Sequence, residues 1–225
     1  MRYLLGSRFW GLNNENSDKD YVEYLFPTKS DLFNGTMVSE QFKDEDGNDV
    51  NKKDVRKLLY ELRRGAVKSF EVLYSTPMTF DNERDKKLYK FLNENKDLLL
   101  EELRVELEKA VVGEMKNRFN EFKNKKSMKA YVNFMKLAYV LDLLLKNRNP
   151  FKELPNHKAL FDSYRELRSL SYDGFLELYP NAFKEAEKLY NRYYGYEFYL
   201  PLEEKPQFNN LTKFVEDLVF QDLWK

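Results

Sequence analysis

Hydrophobic and polar positions in the first third of the chain follow strand patterns. Tyr3 to Leu5 is a short apolar run that stops at Gly6-Ser7. Asp18 to Phe26 mixes Tyr, Val and Phe with charged residues and ends before Pro27. We expect a buried strand, a tight turn that Ser7 can cap, and a second strand.

Three further segments complete the first 80 residues. Thr36 to Phe42 and Asn48 to Val50 flank the polar sequence DEDG, which favours a β-hairpin. Asp54 to Arg64 has apolar residues at helical spacing and is followed by Gly65, so it predicts a helix. The apolar segment VKSFEVLY, residues 67–74, predicts a buried strand.

Helical patterns dominate the rest of the chain. Helices are predicted over residues 98–122, 128–145, 158–170, 183–194 and 211–223. The predicted fold class is therefore α/β of the α+β type, with a small mixed sheet flanked by helices and a helical C-terminal region. We divide it into a core of residues 1–92 and a helical region of residues 93–225.

Composition indicates a folded chain and limits its partners. Hydrophobic residues are 42% and charged residues 34%, and 38 basic side chains balance 38 acidic ones, so the overall charge predicts no polyanion partner. The chain has no cysteine, which excludes disulfides and thiolate metal sites and favours a cytoplasmic location. No stretch approaches the roughly 20 apolar residues of a membrane span, so we expect no membrane partner.

Charge is uneven along the chain. Residues 1–50 contain 5 basic and 10 acidic side chains, and residues 104–136 contain 9 basic and 4 acidic ones. The two segments could face each other across a cleft and bind a cation together with a polyanion. The alternative is that both charged segments are solvated on separate surfaces.

The second predicted strand places two carboxylates together. Residues two apart in a strand point to the same face, so Asp18 and Asp20 would project from one side. Converging carboxylates suit Mg²⁺, which takes oxygen ligands, and two such ions can support phosphoryl or nucleotidyl transfer. Glu71 is the best candidate for a third carboxylate, because it is the lone charge within FEVLYS. The alternative is that the aspartates are ordinary surface charges.

The turn before this strand could bind phosphate. Glycine at position 6 permits close backbone approach, and Ser7 with the following amides can donate hydrogen bonds to phosphate oxygens. Arg8 follows directly and could reach the same phosphate, or it could be a surface arginine.

The segment GSRFWGLNNENSDKDYVEYLFP, residues 6–27, resembles the signature of predicted nucleotidyltransferases of the DNA polymerase beta superfamily. The shared features are Gly6-Ser7, the aromatic-Gly-Leu step at residues 10–12, and Ser-Asp-x-Asp-Tyr at residues 17–21. A weaker likeness extends through KLLYELRRG and the Glu-x-Leu of residues 71–73 to KAYVNFMKLAYVLDLLLKNRNP. Residues 151–225 lie outside the resemblance.

The resemblance implies a nucleotidyltransferase fold with specific roles for these residues. Asp18, Asp20 and Glu71 would be the catalytic carboxylates. Asp18 and Asp20 would hold Mg²⁺, with two ions expected, and Glu71 would be a third metal ligand or the base that activates the acceptor hydroxyl. Gly6 and Ser7 would face the phosphates of an NTP such as ATP. Asn133 and Lys136 stand where the family has histidine and arginine.

Lys129, Asn133 and Lys136 form a polar stripe on an otherwise apolar helix. The stripe could contact a triphosphate, or it could be the solvent-exposed face of the helix. His157, the lone histidine, falls in a predicted loop, which disfavours Ser-His and zinc mechanisms.

We therefore expect a Mg²⁺-dependent transferase that moves an NMP from an NTP to an acceptor and releases pyrophosphate. The acceptor could be an RNA end, a protein hydroxyl or a small molecule, and nothing in the sequence indicates which one or the oligomeric state. One alternative is a non-catalytic nucleotide-binding or nucleic-acid-binding module with the same fold. Another is an interaction protein that binds no nucleotide.

Overall fold

Strands from the first 54 residues form one mixed sheet in the computed structural model, which describes residues 1–13, 17–153, 158–194 and 204–221. The strands are β1 (Arg2–Leu5), β2 (Asp20–Leu25), β3 (Ser39–Lys43) and β4 (Asp49–Asp54). The strand order is β1-β2-β4-β3, and only the central pair, β2 and β4, is parallel. The first two predicted strands and the predicted hairpin, which is β3 and β4, are confirmed.

The second strand begins at Asp20, two residues later than predicted. Asp20 pairs with Leu5 of β1 on one side and with Asp49 of β4 on the other. Because β1 stops at Leu5 and β4 starts at Asp49, Asp18 has no strand partner and lies exposed in the segment before β2. The prediction that both aspartates project from one strand is therefore wrong.

Helices make up most of the remaining described chain. They are α1 (Lys29–Phe33), α2 (Val55–Arg63), α3 (Val67–Tyr74), α4 (Glu83–Glu102), α5 (Arg104–Lys125), α6 (Met128–Leu145), α7 (Pro150–Glu153), α8 (Lys158–Ser169), α9 (Tyr172–Leu178), α10 (Ala182–Tyr194) and α11 (Pro206–Phe220). The bounds predicted for α6 are confirmed, and those of α2, α8 and α10 agree to within a residue or so. The short helices α1, α7 and α9 have no counterpart in the prediction.

Residues 67–74 form helix α3, so the prediction of a strand there is wrong. Six of its eight residues are buried, and Lys68 is its most exposed side chain. A short segment buried on nearly every side shows neither a period of two nor one of 3.6, so its sequence fits both structures. Glu71 consequently lies on a helix rather than on a strand.

The long helix predicted over residues 98–122 is interrupted. Leu103 is the cap residue between the last residue of α4 and the first residue of α5. It is fully buried and has a φ of −105°. The apolar spacing continues through this break because Leu99, Leu103 and Leu107 all face the core. The spacing of apolar residues therefore does not indicate the boundary between the two helices.

One hydrophobic core joins the sheet to the helices. Tyr3 and Leu5 of β1 belong to the same buried cluster as Phe134 and Leu141 of α6. Helix α5 packs along α6, α10 packs on α5, and α11 packs on α4. The fold is thus α+β with a small mixed sheet, and it places α3, α5 and α6 beside the strand ends.

The division at residue 92 stays a prediction, and helix α4 runs through that position. His157 lies outside the described residues. Within the described parts of the chain, no helix combines the length and apolar character needed to cross a membrane.

Candidate functional site

A cavity of about 490 Å³ lies between the strand ends and the neighbouring helices. Its walls come from the β1–β2 connection, the first residue of β4, and helices α3, α5, α6 and α8. Most of the residues predicted for the site line it, namely Gly6, Ser7, Asp18, Asp20, Glu71, Asn133 and Lys136. The fold therefore brings together residues that lie up to 130 positions apart in the sequence.

The Gly6-Ser7 turn forms the part of the wall next to β1. Gly6 has a φ of +66°, a left-handed conformation that glycine adopts without strain. A Cβ atom at this position would lie 2.3 Å from Oδ2 of Asp20. The Ser7 carbonyl accepts a hydrogen bond of 2.7 Å from the Leu12 amide, which closes the turn. Only glycine thus allows the turn and the Asp20 carboxylate to lie this close.

Asp49 is an acidic residue of the cavity that the sequence did not single out. It pairs with Asp20 in the parallel β2–β4 ladder, so their side chains project from the same face of the sheet. Like charges at directly paired positions repel, and an additional cation relieves that repulsion. Lys43 Nζ lies 3.2 Å from Asp49 Oδ1, but this lysine is mostly exposed.

The donor atoms on this side of the cavity suit Mg²⁺. Asp18, Asp20 and Asp49 offer carboxylate oxygens, and Mg²⁺ is usually bound by one or two carboxylates together with substrate phosphates and water. Among the described residues, no three histidine, cysteine or acidic side chains are grouped closely enough to hold an ion by themselves. The three carboxylates are therefore of the chemical type that Mg²⁺ takes, but further ligands would be needed to complete its coordination.

Glu71 is buried in the floor of the cavity, and both of its carboxylate oxygens accept hydrogen bonds. Trp10 Nε1 donates to Oε1 at 2.5 Å, and the Gly6 amide donates to Oε2 at 3.3 Å. Burial raises the pKa of Glu71, while the positive charge of Lys136 and the bond from Trp10 act in the opposite direction. The carboxylate is thus held by the turn itself.

Lys136 approaches the same group from helix α6. Its Nζ lies 4.8 Å from the centre of the Trp10 ring, within the range of a cation–π interaction. Desolvation lowers the pKa of Lys136, and the nearby Glu71 carboxylate opposes that effect. Glu71, Trp10 and Lys136 therefore form one connected cluster that links the turn to α6.

The polar stripe of α6 faces the cavity. Lys129, Asn133 and Lys136 all contribute to the lining that also contains the strand-end aspartates. Lys68 of α3 lines it as well. Among the described residues, neither Lys68 nor Lys129 forms an ion pair within 4.0 Å, and the charge of Lys68 acts on the buried Glu71 carboxylate.

Two arginines of the cavity are already engaged. Arg118 of α5 forms ion pairs with Glu114 at 3.5 Å and with Glu121 at 2.9 Å. Arg168 of α8 points Nη1 toward the Leu12 carbonyl at 3.5 Å. These contacts stabilise the wall of the cavity and reduce the positive charge available for a ligand.

Arg8 lies outside the cavity lining. Its Nη2 donates to the Ser17 carbonyl at 3.1 Å, so it connects the start of the β1–β2 connection to its end. In this conformation the guanidinium stabilises the connection rather than facing the cavity.

The charged cavity residues that sequence reasoning missed include Asp49, Lys68 and Arg168, and also Glu114 and Glu121 of α5. The position of Asp49 at the start of a strand is a local signal, but its pairing with Asp20 depends on strand order. Lys68 and Arg168 give no such signal, because solvent-facing lysine and arginine are common on helices. Comparison of the chain with protein-family models, curated proteins and solved structures finds no match.

Proposed function

We propose that this protein is a Mg²⁺-dependent nucleotidyltransferase that moves an NMP from an NTP onto an acceptor and releases pyrophosphate. The observation that carries the proposal is the charge arrangement of one cavity. Aspartates from the strand ends and cationic and amide side chains of α3 and α6 line the same cavity, together with Glu114 and Glu121 of α5, which pair with Arg118. An NTP with bound metal has the complementary pattern, because it combines a cation with a polyanion.

Each wall of the cavity has a chemical role in this proposal. Ser7 and the amides of its turn hold phosphate oxygens, because Gly6 removes the side chain that would block their approach. Lys129, Asn133 and Lys136 contact the triphosphate from α6, and Lys68 adds a further positive charge. These groups hold the α-phosphorus in a fixed orientation, which is the larger part of catalysis in phosphoryl transfer.

One or two of Asp18, Asp20 and Asp49 would hold Mg²⁺ together with phosphate oxygens, because no three acidic side chains of the described chain are grouped closely enough to hold an ion. When bound, the metal would supply positive charge that neutralises the phosphates and lowers the barrier to displacement. Asp49 replaces Glu71 in the proposed set of carboxylates, because both oxygens of Glu71 already accept hydrogen bonds from the protein.

The proposed reaction is one displacement at phosphorus. An acceptor hydroxyl oxygen forms a bond to the α-phosphorus, and the bond from that phosphorus to the α–β bridging oxygen breaks. The electron pair of the broken bond leaves with pyrophosphate. The hydroxyl proton passes to a carboxylate at the strand ends, for which Asp49 is the candidate base.

Label transfer tests the proposal. The protein is incubated with Mg²⁺ and each α-³²P-labelled NTP against separate pools of RNA, protein and small molecules. We expect label in one pool, loss of that label in an Asp18→Ala/Asp20→Ala variant, and matching release of pyrophosphate. Transfer that is unchanged in the variant would exclude this cavity as the site.

The second candidate is a nucleotide-binding module without transferase activity. The contact between Lys43 and Asp49 favours it, because this ion pair already satisfies part of the acidic side of the cavity. It predicts ATP binding by calorimetry without pyrophosphate release on any acceptor pool. Removal of the contact by Lys43→Met would then leave turnover absent.

A further inference from the structure

We infer that Glu71 is a positioning residue that fixes the Gly6-Ser7 turn and, through Trp10, the ammonium group of Lys136. This inference deepens the proposed function and rests on it for the identity of the ligand. It gives Glu71 a different role from the metal ligand or base that its sequence suggested. Three structural features support it, namely the hydrogen bonds to both oxygens of its carboxylate, the burial of Trp10 and the location of Lys136.

Both carboxylate oxygens of Glu71 are engaged by the turn. Only 3% of the residue is exposed, and each of its oxygens accepts from a separate part of the turn. A buried carboxylate is costly unless its oxygens are satisfied in this way. The two bonds define where the Gly6 amide and the Trp10 indole lie, so they fix the backbone around Ser7.

Trp10 transmits this constraint to helix α6. Its ring is 1% exposed and packs against Phe9 at 4.8 Å and against Phe151 of α7 at 5.6 Å between ring centres. The bond from its N–H to Glu71 prevents rotation of the indole within this aromatic packing. The Lys136 ammonium lies over the fixed ring face, so its location follows from the orientation of Trp10.

Charge makes the three residues interdependent. The negative charge of Glu71 stabilises the positive charge of Lys136 in a largely desolvated part of the cavity wall. Without Glu71, Lys136 keeps its ring contact but loses this partner. The turn and the helix that face the triphosphate would then move independently of each other.

A fluorescence experiment tests the positional role without any ligand. The sequence has two tryptophans, so a Trp224→Phe background leaves Trp10 as the sole reporter. Glu71→Gln keeps the side-chain size but removes the negative charge and replaces one acceptor oxygen with an NH₂ group, so the Trp10 and Gly6 N–H groups can no longer both donate to separate oxygens. We expect a shift of the Trp10 emission maximum. Glu108→Gln is the matched control, because Glu108 is also buried but lies outside the cavity lining, and it should cause no shift.

Nucleotide binding tests the functional consequence. We expect Glu71→Gln to weaken Mg-ATP binding about tenfold, the effect of losing one hydrogen bond to a charged group, with KM raised more than kcat is lowered. Trp10→Phe removes the same link, so the two substitutions should be non-additive in a double-mutant cycle.

Additive losses, or unchanged emission and affinity in Glu71→Gln, would overturn the inference. So would a loss of Mg²⁺ affinity with unchanged emission, which would make Glu71 a metal ligand.

The inference and the proposed function fail in different ways. If the wild type binds no nucleotide, the proposed function is rejected, and the emission shift decides the role of Glu71. The double-mutant cycle is then measured as changes in the urea midpoint of unfolding. Non-additive changes support the link between Glu71 and Trp10, and additive changes reject it. If the wild type binds nucleotide and Glu71→Gln changes neither emission nor affinity, only the positioning role is rejected.

Discussion

At the scale of single residues, Gly6 has the tightest steric constraint in the cavity. Alanine at this position would combine a strained φ of +66° with a Cβ atom 2.3 Å from the Asp20 carboxylate. We predict that Gly6→Ala weakens Mg-ATP binding at least about tenfold, as displacement of one charged contact would. Isothermal titration calorimetry measures the change.

Gly11→Ala is the matched control for this prediction. Gly11 has nearly the same backbone conformation, with a φ of +68°, but open space around the position of a Cβ atom. It should lower stability through backbone strain and leave nucleotide affinity close to that of the wild type. Equal losses of affinity in both variants would mean that strain, rather than the contact with Asp20, controls binding.

Asp49 is the residue on which the proposed chemistry depends most. We predict that Asp49→Asn lowers transfer activity at least about a hundredfold, the lower limit for loss of a general base, while the chain still folds. Pyrophosphate release and circular dichroism give the two measurements. Asp46→Asn, an exposed substitution in the same hairpin, should have no effect. Full activity in Asp49→Asn would remove Asp49 from the mechanism.

Local sequence predicts some of these residues better than others. The Gly6-Ser7 turn follows from a glycine at the end of an apolar run, and Asp20 follows from the start of the next strand. Asp49 requires knowledge that β4 pairs with β2, which is a contact between segments about 30 residues apart. Such pairing depends on the packing of the whole sheet, so the spacing of residues near Asp49 does not reveal it.

At the scale of elements, Gly65 lies in the turn between α2 and α3 and packs closely against the backbone of α5. It has a φ of +71°, and a Cβ atom there would lie 2.1 Å from the Glu106 carbonyl oxygen. We predict that Gly65→Ala destabilises the protein by about 2 kcal/mol or more, because both strain and a backbone clash oppose it. Urea unfolding measures the change.

Gly113→Ala provides the control for Gly65. Gly113 lies within α5, and nothing lies within 4 Å of its Cβ position. Alanine should therefore stabilise that helix by about 1 kcal/mol. If Gly65→Ala were as stable as the wild type, the close approach of the α2–α3 turn to α5 would be wrong.

A polar network connects α3, α4 and α7. Asp97 accepts hydrogen bonds from Tyr74 at 2.8 Å and from Lys152 at 2.6 Å. Desolvation acts to raise the pKa of Asp97, but these bonds outweigh it, so the pKa lies below its usual value. A carboxylate with a lowered pKa stabilises the fold above its unfolded pKa and loses that contribution as pH falls through the folded value.

We therefore predict a pH-dependent stability difference between the wild type and Asp97→Asn. The difference should be about 1 kcal/mol or less near pH 7, because Asp97 is more than half exposed, and it should disappear as pH falls through the lowered pKa of Asp97, below the unfolded value of about 3.9. Urea unfolding across this range provides the measurement. A difference that grows toward low pH would contradict the lowered pKa.

The sequence predicted helix α6 correctly but failed to predict helix α3. Helix α6 has a capping serine, Ser127, whose Oγ accepts from the Ala130 amide, and a long apolar sequence, so its bounds were predicted. Helix α3 is short and buried on nearly every side, so its residues carried no periodic signal. The physical cause of that error is tertiary burial, which overrides the local preferences of eight residues.

At the scale of the whole molecule, the fold brings the acidic N-terminal segment and the basic central segment to one cavity. Asp20 and Asp49 come from residues 1–50, and Lys129 and Lys136 come from residues 104–136. The uneven charge along the chain predicted that the two segments could meet. Which side chains would face each other depends on how α6 packs on α5 and the sheet, and that arrangement is a property of the complete core.

Mg-ATP titration into the wild type and a Lys136→Met variant tests the central claim most directly. We predict one Mg²⁺-dependent site per chain, with affinity lowered at least about tenfold in Lys136→Met, because the ammonium of Lys136 would contact the triphosphate in the proposed function. Lys116→Met is the control, since Lys116 contacts Tyr194 instead of lining the cavity. Absence of binding, or equal affinity in all three proteins, would contradict the account.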